Sequence, residues 1–349
     1  MALTPRGKAL IAGVAAVAVI GGGALVYTGN AGPVNTLAEK VGLKDPAPDP
    51  CPLTGLAPAG GRSVPTHPVL AVKVENAPEA RPQVGLDHAD IVYEEPVEGG
   101  VTRYIVVFQC LDAARLGPVR SARMTDISVL AQYGTPLFGY AGGAPKVRNA
   151  VSKANVVDVN YIDAAAEYTR DESREAPHNL YTTTKKLYKA GGSNDGAPEP
   201  VFVYSDELDL KSKAARSIHI PFSTTYADVN WVWNGADGRW LRSHGSEQHV
   251  LENGDQVSTV NVIAMQVEVS DSDIVDVAGY ASPEVTLVGS GKAWVFRNGR
   301  VIAGRWVRDA QGDLTRFENK AGDEIPLAPG PTWVELVPTS VPVEYSSKA

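Results

Sequence analysis

The chain has 349 residues, which is enough for two domains of ordinary size. Its hydrophobic content of 44% and charged content of 21% are those of a foldable globular protein. The formal net charge of -8 argues against a nucleic-acid-binding function, because such proteins need a basic surface that displaces counterions.

The N-terminal segment predicts export from the cytoplasm. Arg6 and Lys8 precede an uncharged, apolar stretch, Ala9–Tyr27. A helix over that stretch would be about 28 Å long, close to the thickness of a bilayer core. Basic residues before it place the N-terminus inside and the remainder outside. We therefore predict a signal-anchor, transmembrane helix in residues 1–30. A signal peptide cleaved near Gly29-Asn30-Ala31 is the alternative, and either one exports the rest.

Residues 28–52 hold Gly, Pro, Asn and Asp with little apolar pattern, and the segment 31–52 is predicted to be an extracytoplasmic tether. The sequence has two cysteines, Cys51 and Cys110, and outside the cytoplasm such a pair readily forms a disulfide. Lipid attachment at Cys51 is the alternative. It requires small and aliphatic residues before the cysteine, whereas Pro48-Asp49-Pro50 stand there. We therefore predict the disulfide.

Residues 53–192 alternate between strand-like and helix-like patterns and predict a mixed α/β domain. Helical spacing begins near Met124, with Ser121 as its N-cap; Pro145 suits the first position of a second helix, and Thr182 or Thr183 opens a third. The predicted strands are Val69–Glu75, Asp90–Tyr93, Thr102–Cys110 and Leu137–Ala141.

Residues 193–200 are the predicted linker, and residues 201–340 form a predicted β domain. Val257–Val269 has the pattern of a long strand, and Asn298-Gly299 is a strong two-residue hairpin signal. We expect a mostly antiparallel domain, either a small barrel or a sandwich. The predicted fold class of the whole chain is therefore α+β.

The densest group of charges lies between Asp90 and Arg123. Charged side chains that pack together need ion-pair partners or a ligand, so the group predicts a polar cleft for an anion. The alternative is that Glu95 or Glu98 pairs with Arg103 across a hairpin. The group consists of Glu94, Glu95, Glu98, Arg103, Arg115, Arg120 and Arg123.

Within this group, the motif GPVRSAR (117–123) is predicted to run into a helix. The free backbone N–H groups and the dipole of a helix start favour an anion, and two guanidiniums add bidentate contacts. Arg120, Ser121 and Arg123 are therefore candidate ligands of a phosphate or carboxylate. The alternative is that the arginines form structural ion pairs with Glu94, Glu95 or Asp126.

A second candidate segment is PHNLY (177–181), which lies in a polar loop. His178 could act as an acid or a base or bind a ligand, together with Asn179. The alternative is that both side chains satisfy loop backbone groups. The glycine-rich turn at 142–145 is a weak signal, because it lacks the fingerprint of a nucleotide site. No metal spacing is found, and neither a metal nor a cofactor is predicted.

Several of these motifs together resemble the YerB-like bacterial envelope proteins. The motifs are Arg81-Pro82-Gln83 with Gly85-Leu86, ADIVYE (89–94), EGGVTR (98–103), GPVRSAR (117–123) and PHNLY (177–181), and the resemblance runs from about Pro52 to Pro338. It implies an α+β extracytoplasmic protein attached to the membrane, with an N-terminal domain of unknown function and a β-rich partner domain. It implies no activity. Many relatives look like lipoproteins, and this chain lacks their lipidated cysteine.

Three functional hypotheses remain at this point. The first is a membrane-tethered protein that binds an anionic cell-wall ligand through Arg103, Arg120 and Arg123. The second is an envelope hydrolase or transferase, with Glu95 or Glu98 as base and His178 as acid. The third is an accessory factor whose β domain docks an envelope protein through exposed Trp or Tyr.

Overall fold

The computed structural model describes residues 49–192, 196–223, 226–276 and 279–348. Before residue 49 it describes only two short antiparallel strands, β1 (Val17–Ile20) and β2 (Gly23–Val26). Where it is described, the predicted membrane helix is thus extended, which suits residues rich in Val and Gly. The rest of that prediction, and most of the predicted tether, lies outside the described residues. None of the helices in the described ranges is long and apolar enough to cross a membrane.

The chain divides into two units, Met1–Ala47 and Pro48–Ala349, and the following concerns the second. Its main sheet has eleven strands, drawn from both halves of the sequence. The strands are β3 (Leu70–Glu75), β4 (Ile91–Pro96), β5 (Thr102–Phe108), β6 (Leu137–Gly139), β7 (Val157–Asp158), β10 (Lys213–Ala214), β16 (Asn261–Val267), β19 (Gly289–Arg297), β20 (Arg300–Arg308), β21 (Arg316–Asn319) and β22 (Thr332–Pro338).

The order of this sheet is β10-β20-β19-β16-β22-β4-β5-β3-β6-β7, with β21 also on β20. The late strand β22 lies between β16 and β4 and is parallel to both. Its register places Glu335 beside Glu94. Strands β3, β4 and β5 are buried on both faces, as their nearly continuous apolar runs require.

A second sheet has six strands: β11 (Ser217–Ser223), β12 (Ala227–Asn234), β13 (Arg239–His244), β14 (Glu247–Gln248), β15 (Ser258–Thr259) and β23 (Glu344–Ser346). Their order is β14-β13-β12-β11-β23, with β15 also on β13. Two small hairpins stand apart from both sheets. The hairpins are β8 (Thr169–Arg170) with β9 (Leu180–Tyr181) and β17 (Val269–Val275) with β18 (Ala281–Val285).

The described residues contain three short α-helices, α1 (Met124–Leu130), α2 (Pro145–Val151) and α3 (Thr184–Gly191), besides several 3₁₀ turns. Pro145 occupies the first turn of α2, and the Thr183 side chain caps α3, both as predicted. The N-cap of α1 is Arg123 rather than the predicted Ser121. The Asp126 carboxylate accepts the Arg123 N–H at 2.6 Å, whereas the Ser121 hydroxyl is turned toward the Ala141 carbonyl.

Apolar side chains fill both faces of the main sheet. One core contains the helices α1 and α2, and the other lies between the main sheet and the six-stranded sheet. In the second core Trp231 meets Trp333 edge to face, with ring centroids 5.3 Å apart. The predicted α+β class is therefore confirmed, with the C-terminal strands divided between two sheets that face each other. The linker at 193–200 and the domain bounds stay predictions, since the pairing of β22 with β4 crosses them.

The predicted hairpin at Asn298-Gly299 joins β19 and β20, and both turn residues have positive φ, 51° and 65°. The predicted disulfide between Cys51 and Cys110 is also present and ties the start of this unit to the end of β5. Because both sulfurs are joined to each other, neither cysteine is available for a lipid.

Candidate functional site

A cleft of about 510 Å³ lies where the N-terminal end of β5, the start of α1, the start of α2 and the hairpin β17–β18 meet. We call it the arginine cleft. Three of the four arginines in the predicted group line it, so the structure brings together side chains that the sequence only suggested were close. Its polar lining consists of Glu98, Arg103, Arg120, Ser121, Arg123 and Asp276.

The segment 117–123 carries three of these side chains because it is held between two strands. The Arg120 N–H donates to the Lys73 carbonyl of β3 at 2.9 Å, and the Val119 N–H donates to the Leu180 carbonyl of β9 at 2.6 Å. Gly117 is required at the crossing: its φ is 150°, and a Cβ there would lie 2.8 Å from the Leu180 carbonyl oxygen. This packing brings the motifs at 117–123 and 177–181 side by side.

Two of the cleft arginines already have carboxylate partners. Arg123 donates two hydrogen bonds to Glu98, at 2.5 and 3.0 Å. Burial alone would raise the pKa of Glu98, but the hydrogen bonds and the charge of Arg123, together with a hydrogen bond from Ser282, outweigh it and lower that pKa. Arg120 donates to Glu75 at 2.8 Å, and the second oxygen of Glu75 lies 2.9 Å from His178 Nδ1. These two arginines thus form structural ion pairs, as in the alternative, but with Glu75 and Glu98 rather than with Glu94, Glu95 or Asp126.

Arg103 differs from its neighbours because it makes no ion pair with any carboxylate of the described residues. Only 8% of its surface is exposed, its Nε has no hydrogen-bond partner there, and Nη1 reaches only the Ser121 carbonyl at 3.3 Å. Burial, together with Arg123 and Arg120, lowers the pKa of Arg103 to about 10. The guanidinium is therefore still charged at neutral pH, and its charge lacks a close counter-ion.

Glu95 lies opposite Arg103 in the strand register, yet it does not pair with it. Its carboxylate instead accepts from Lys73, which also bonds Asp126 at 2.7 Å. All three side chains are fully buried, and burial raises the pKa of Glu95 to about 7. The alternative, a pair of Glu95 or Glu98 with Arg103 across the hairpin, is therefore wrong. The sequence carries one signal for the observed partner of Glu95: Lys73 is a charged residue inside the otherwise mostly apolar strand LAVKVE.

The remaining predicted site residues lie elsewhere. Asn179 is buried in its loop, where it accepts from Arg170 and donates to the Arg174 carbonyl. Arg115 pairs with Asp171 at 2.5 Å and lies over the ring of Tyr181. Of the three catalytic candidates, Glu98 lines the cleft and is held by Arg123, whereas Glu95 and His178 are not among its lining side chains. A catalytic role for these residues stays a prediction.

A second charged cluster, centred on Glu94, is buried between the two sheets. Arg242 of β13 donates to both oxygens of Glu94, at 2.8 and 2.9 Å, and both side chains are fully buried. Thr102 and Trp333 also donate to Glu94. The other end of Arg242 donates to His249 Nδ1 at 2.9 Å. Glu94 is therefore not free to bind a ligand. Its ion pair with Arg242 instead links the main sheet to the six-stranded sheet.

Glu335 is fully buried beside this cluster. Burial and the adjacent Glu94 raise the pKa of Glu335 well above its ordinary value. Its Oε1 accepts from Trp231 Nε1 at 2.8 Å, whereas its Oε2 has no hydrogen-bond partner among the described residues.

Comparison with known proteins identifies the family to which the chain belongs. Two family models match it: "Protein of unknown function (DUF3048) N-terminal domain" over residues 53–197 and "Protein of unknown function (DUF3048) C-terminal domain" over residues 218–334. The chain belongs to the DUF3048 family.

A relative with the same two-part fold is "Putative lipoprotein YerB" of Bacillus subtilis (strain 168), which is 28% identical over 309 residues, 84% of this chain and 89% of the relative. The crystal structure of YerB protein from Bacillus subtilis matches with a TM-score of 0.72 at 26% identity. That match covers 84% of this chain and 99% of that chain. The predicted resemblance to YerB-like proteins is thus confirmed.

Proposed function

We propose that this protein is a membrane-associated, extracytoplasmic protein of the bacterial cell envelope that binds an anionic group in the arginine cleft. The single observation that carries the binding proposal is the buried, charged guanidinium of Arg103, which has no carboxylate partner among the described residues. Burying an uncompensated charge is costly, so a site that retains one is suited to an anion that completes it.

A carboxylate or phosphate is the anion that this cleft fits best. Arg103 can offer its planar fork of N–H donors, a geometry that matches both groups. Arg120 and Arg123 border the same space and add positive potential, although their own carboxylates engage them. Groups of this chemistry on cell-wall precursors or polymers are the proposed natural ligands.

Replacing Arg103 with methionine is expected to separate binding from stability. Without ligand, the variant should unfold at the same temperature as the wild type or higher, because it loses a buried charge that has no partner. Sodium phosphate or sodium acetate is then added at ten times the Kd of the wild type for that anion. The unfolding temperature of the wild type should rise by about 2–4 °C, and that of the variant should not change. Thermal unfolding at constant ionic strength measures both quantities.

The matched control is Arg305→Met, which removes an arginine that is 58% exposed and pairs with Glu318 outside the cleft. This control should keep the full stabilisation by anions. Equal stabilisation of wild type and Arg103→Met would contradict the proposed site. The double variant Arg120→Ala/Arg123→Ala is less informative, because it leaves Glu75 and Glu98 without their arginines.

The proposed membrane association rests on two observations. A relative carries the name of a lipoprotein, and the sequence places an apolar stretch after two basic residues at its N-terminus. Because Cys51 and Cys110 are joined to each other, we propose that attachment uses the stretch Ala9–Tyr27.

Fractionation of cells tests this attachment. The full chain should stay in the membrane pellet after carbonate extraction, and a variant without residues 9–27 should not reach the membrane. Incorporation of labelled fatty acid into the full chain, or its release by carbonate, would contradict attachment by this stretch.

The enzyme hypothesis gains no specific observation, and the docking hypothesis gains exposed tyrosines but no exposed tryptophan. A base held by a guanidinium, like Glu98 with its lowered pKa, is a weak one. The six tryptophans, all within the described residues, are buried or half-buried, so none offers an exposed docking surface. Three tyrosines are exposed among the described residues after position 200: Tyr226, Tyr280 and Tyr345.

A further inference from the structure

One wall of the arginine cleft is apolar and takes no part in holding an anion. Ala144, Pro145 and Val147 supply it from the start of α2, and Ile274 and Val275 supply it from strand β17. Ile274 and Val147 are buried in the core beneath, whereas Val275 is 56% exposed and stands at the mouth of the cleft. An exposed valine beside a set of arginines gives the cleft one charged side and one aliphatic side.

The two sides are held together by local contacts. Lys146 of α2 pairs with Asp273 of β17 at 2.5 Å, which joins the helix to the hairpin β17–β18. The Asp276 carboxylate accepts the Tyr280 N–H at 2.9 Å, so it is turned toward the hairpin's own backbone. Among the described residues, the polar lining groups other than Arg103 therefore have a salt-bridge or side-chain hydrogen-bond partner within the protein.

The size of the cleft also exceeds what a simple inorganic anion fills. Pockets of about 300–1,000 Å³ typically hold organic ligands with most of their surface buried, lined by apolar side chains and a few polar groups. The arginine cleft, at about 510 Å³, falls within this range. A phosphate or carboxylate group on Arg103 would leave the volume along Val275 and Ala144 to be filled by another part of the same molecule.

We propose that the ligand of the arginine cleft is an amphiphilic anion, whose carboxylate or phosphate group pairs with Arg103 and whose aliphatic portion lies along Ala144, Ile274 and Val275. This inference rests on the proposed anion-binding function and adds the chemical class of the ligand. The charged group fixes the position of the molecule, and burial of its aliphatic portion supplies the additional affinity.

Titration calorimetry with two series of probes tests this class. The first series is acetate, butyrate and hexanoate, and the second is methyl, butyl and hexyl phosphate, so that the two anionic groups are compared at matched chain lengths. Each added methylene that is buried should raise the affinity about threefold to fourfold. The preferred series identifies the anionic group.

Variants of the two sides of the cleft separate their roles. Val275→Ser should reduce the gain in affinity with chain length and leave the affinity for acetate or methyl phosphate unchanged. Val232→Ser, at an exposed valine of β12 outside the cleft, is the matched control and should behave as the wild type. Arg103→Met should weaken every member of the preferred series at least tenfold.

The outcomes distinguish this inference from the proposed function. If the affinity does not grow with chain length while Arg103→Met still weakens the shortest probe, the amphiphilic ligand is wrong and the anion site stands. If no probe binds the wild type more tightly than Arg103→Met, both proposals are wrong.

Discussion

Replacing Arg242 with methionine is expected to lower the free energy of unfolding by about 3–5 kcal/mol, because it removes one partner of a fully buried ion pair. Glu94 would keep its bonds from Thr102 and Trp333 but would lose both bonds from the guanidinium. Methionine is chosen because its length and flexibility preserve much of the packing between the two sheets. Equilibrium unfolding in urea, followed by tryptophan fluorescence and circular dichroism, measures the loss.

Two control variants make this result specific. Arg305→Met breaks an exposed pair with Glu318 and should cost less than about 1 kcal/mol. Glu335→Gln changes the Glu94 cluster without removing its ion pair with Arg242, and the amide oxygen can still accept from Trp231.

The glutamine variant carries its own pH dependence. Because the pKa of Glu335 is raised in the folded state, the wild type loses stability as the pH rises above the ordinary range of a glutamate. Glu335→Gln should therefore match the wild type near pH 4.5 and be more stable than it at pH 8.

A loss of stability from Arg242→Met no larger than that from Arg305→Met would contradict the prediction for Arg242, because it would show that Glu94 does not depend on Arg242.

Removing the disulfide with Cys51→Ser/Cys110→Ser is expected to lower the free energy of unfolding by about 4 kcal/mol. The two cysteines are 59 residues apart, and in the chain-entropy model a cross-link over that distance restricts the unfolded chain by this amount. Urea unfolding with and without dithiothreitol measures it: reductant should destabilise the wild type to the level of the variant.

The double variant itself should not respond to reductant, which controls for other effects of dithiothreitol. Mass spectrometry of the unreduced wild type gives an independent check. Two free thiols on the folded, exported protein would contradict the disulfide and reopen Cys51 as a site of modification.

Local signals in the sequence were enough to predict much of the secondary structure. Asn298-Gly299 predicts its hairpin because few other residues accept two successive positive φ angles. Pro145 marks a helix start because proline lacks the backbone N–H that the first turn leaves unpaired in any case. Thr183 marks another because its side chain accepts a free N–H of the first turn. The N-cap of α1 was misplaced because Ser121 has a stronger propensity than Arg123, whereas the Asp126 carboxylate decides the start.

The cleft itself was predictable because its three arginines lie close together in the sequence, between positions 103 and 123. Their partners were not, because ion pairing depends on which strands are neighbours. Glu75 lies 45 residues before Arg120, Lys73 lies 53 residues before Asp126, and Arg242 lies 148 residues after Glu94. A local sequence pattern cannot predict which residues pair across such sequence separations. The result is that Glu94 and Glu95, which resemble site residues in sequence, belong to the buried framework.

The position of β22 has a consequence for how the protein is made. The chain emerges N-terminus first, so β4 lacks its neighbour on one side until residues 332–338 have emerged. The incomplete chain therefore carries an open strand edge, and such edges are where unfinished chains pair with one another. A chain that stops before residue 332 would keep that edge permanently. The centre of the main sheet is thus completed by a strand that emerges long after its neighbour β4.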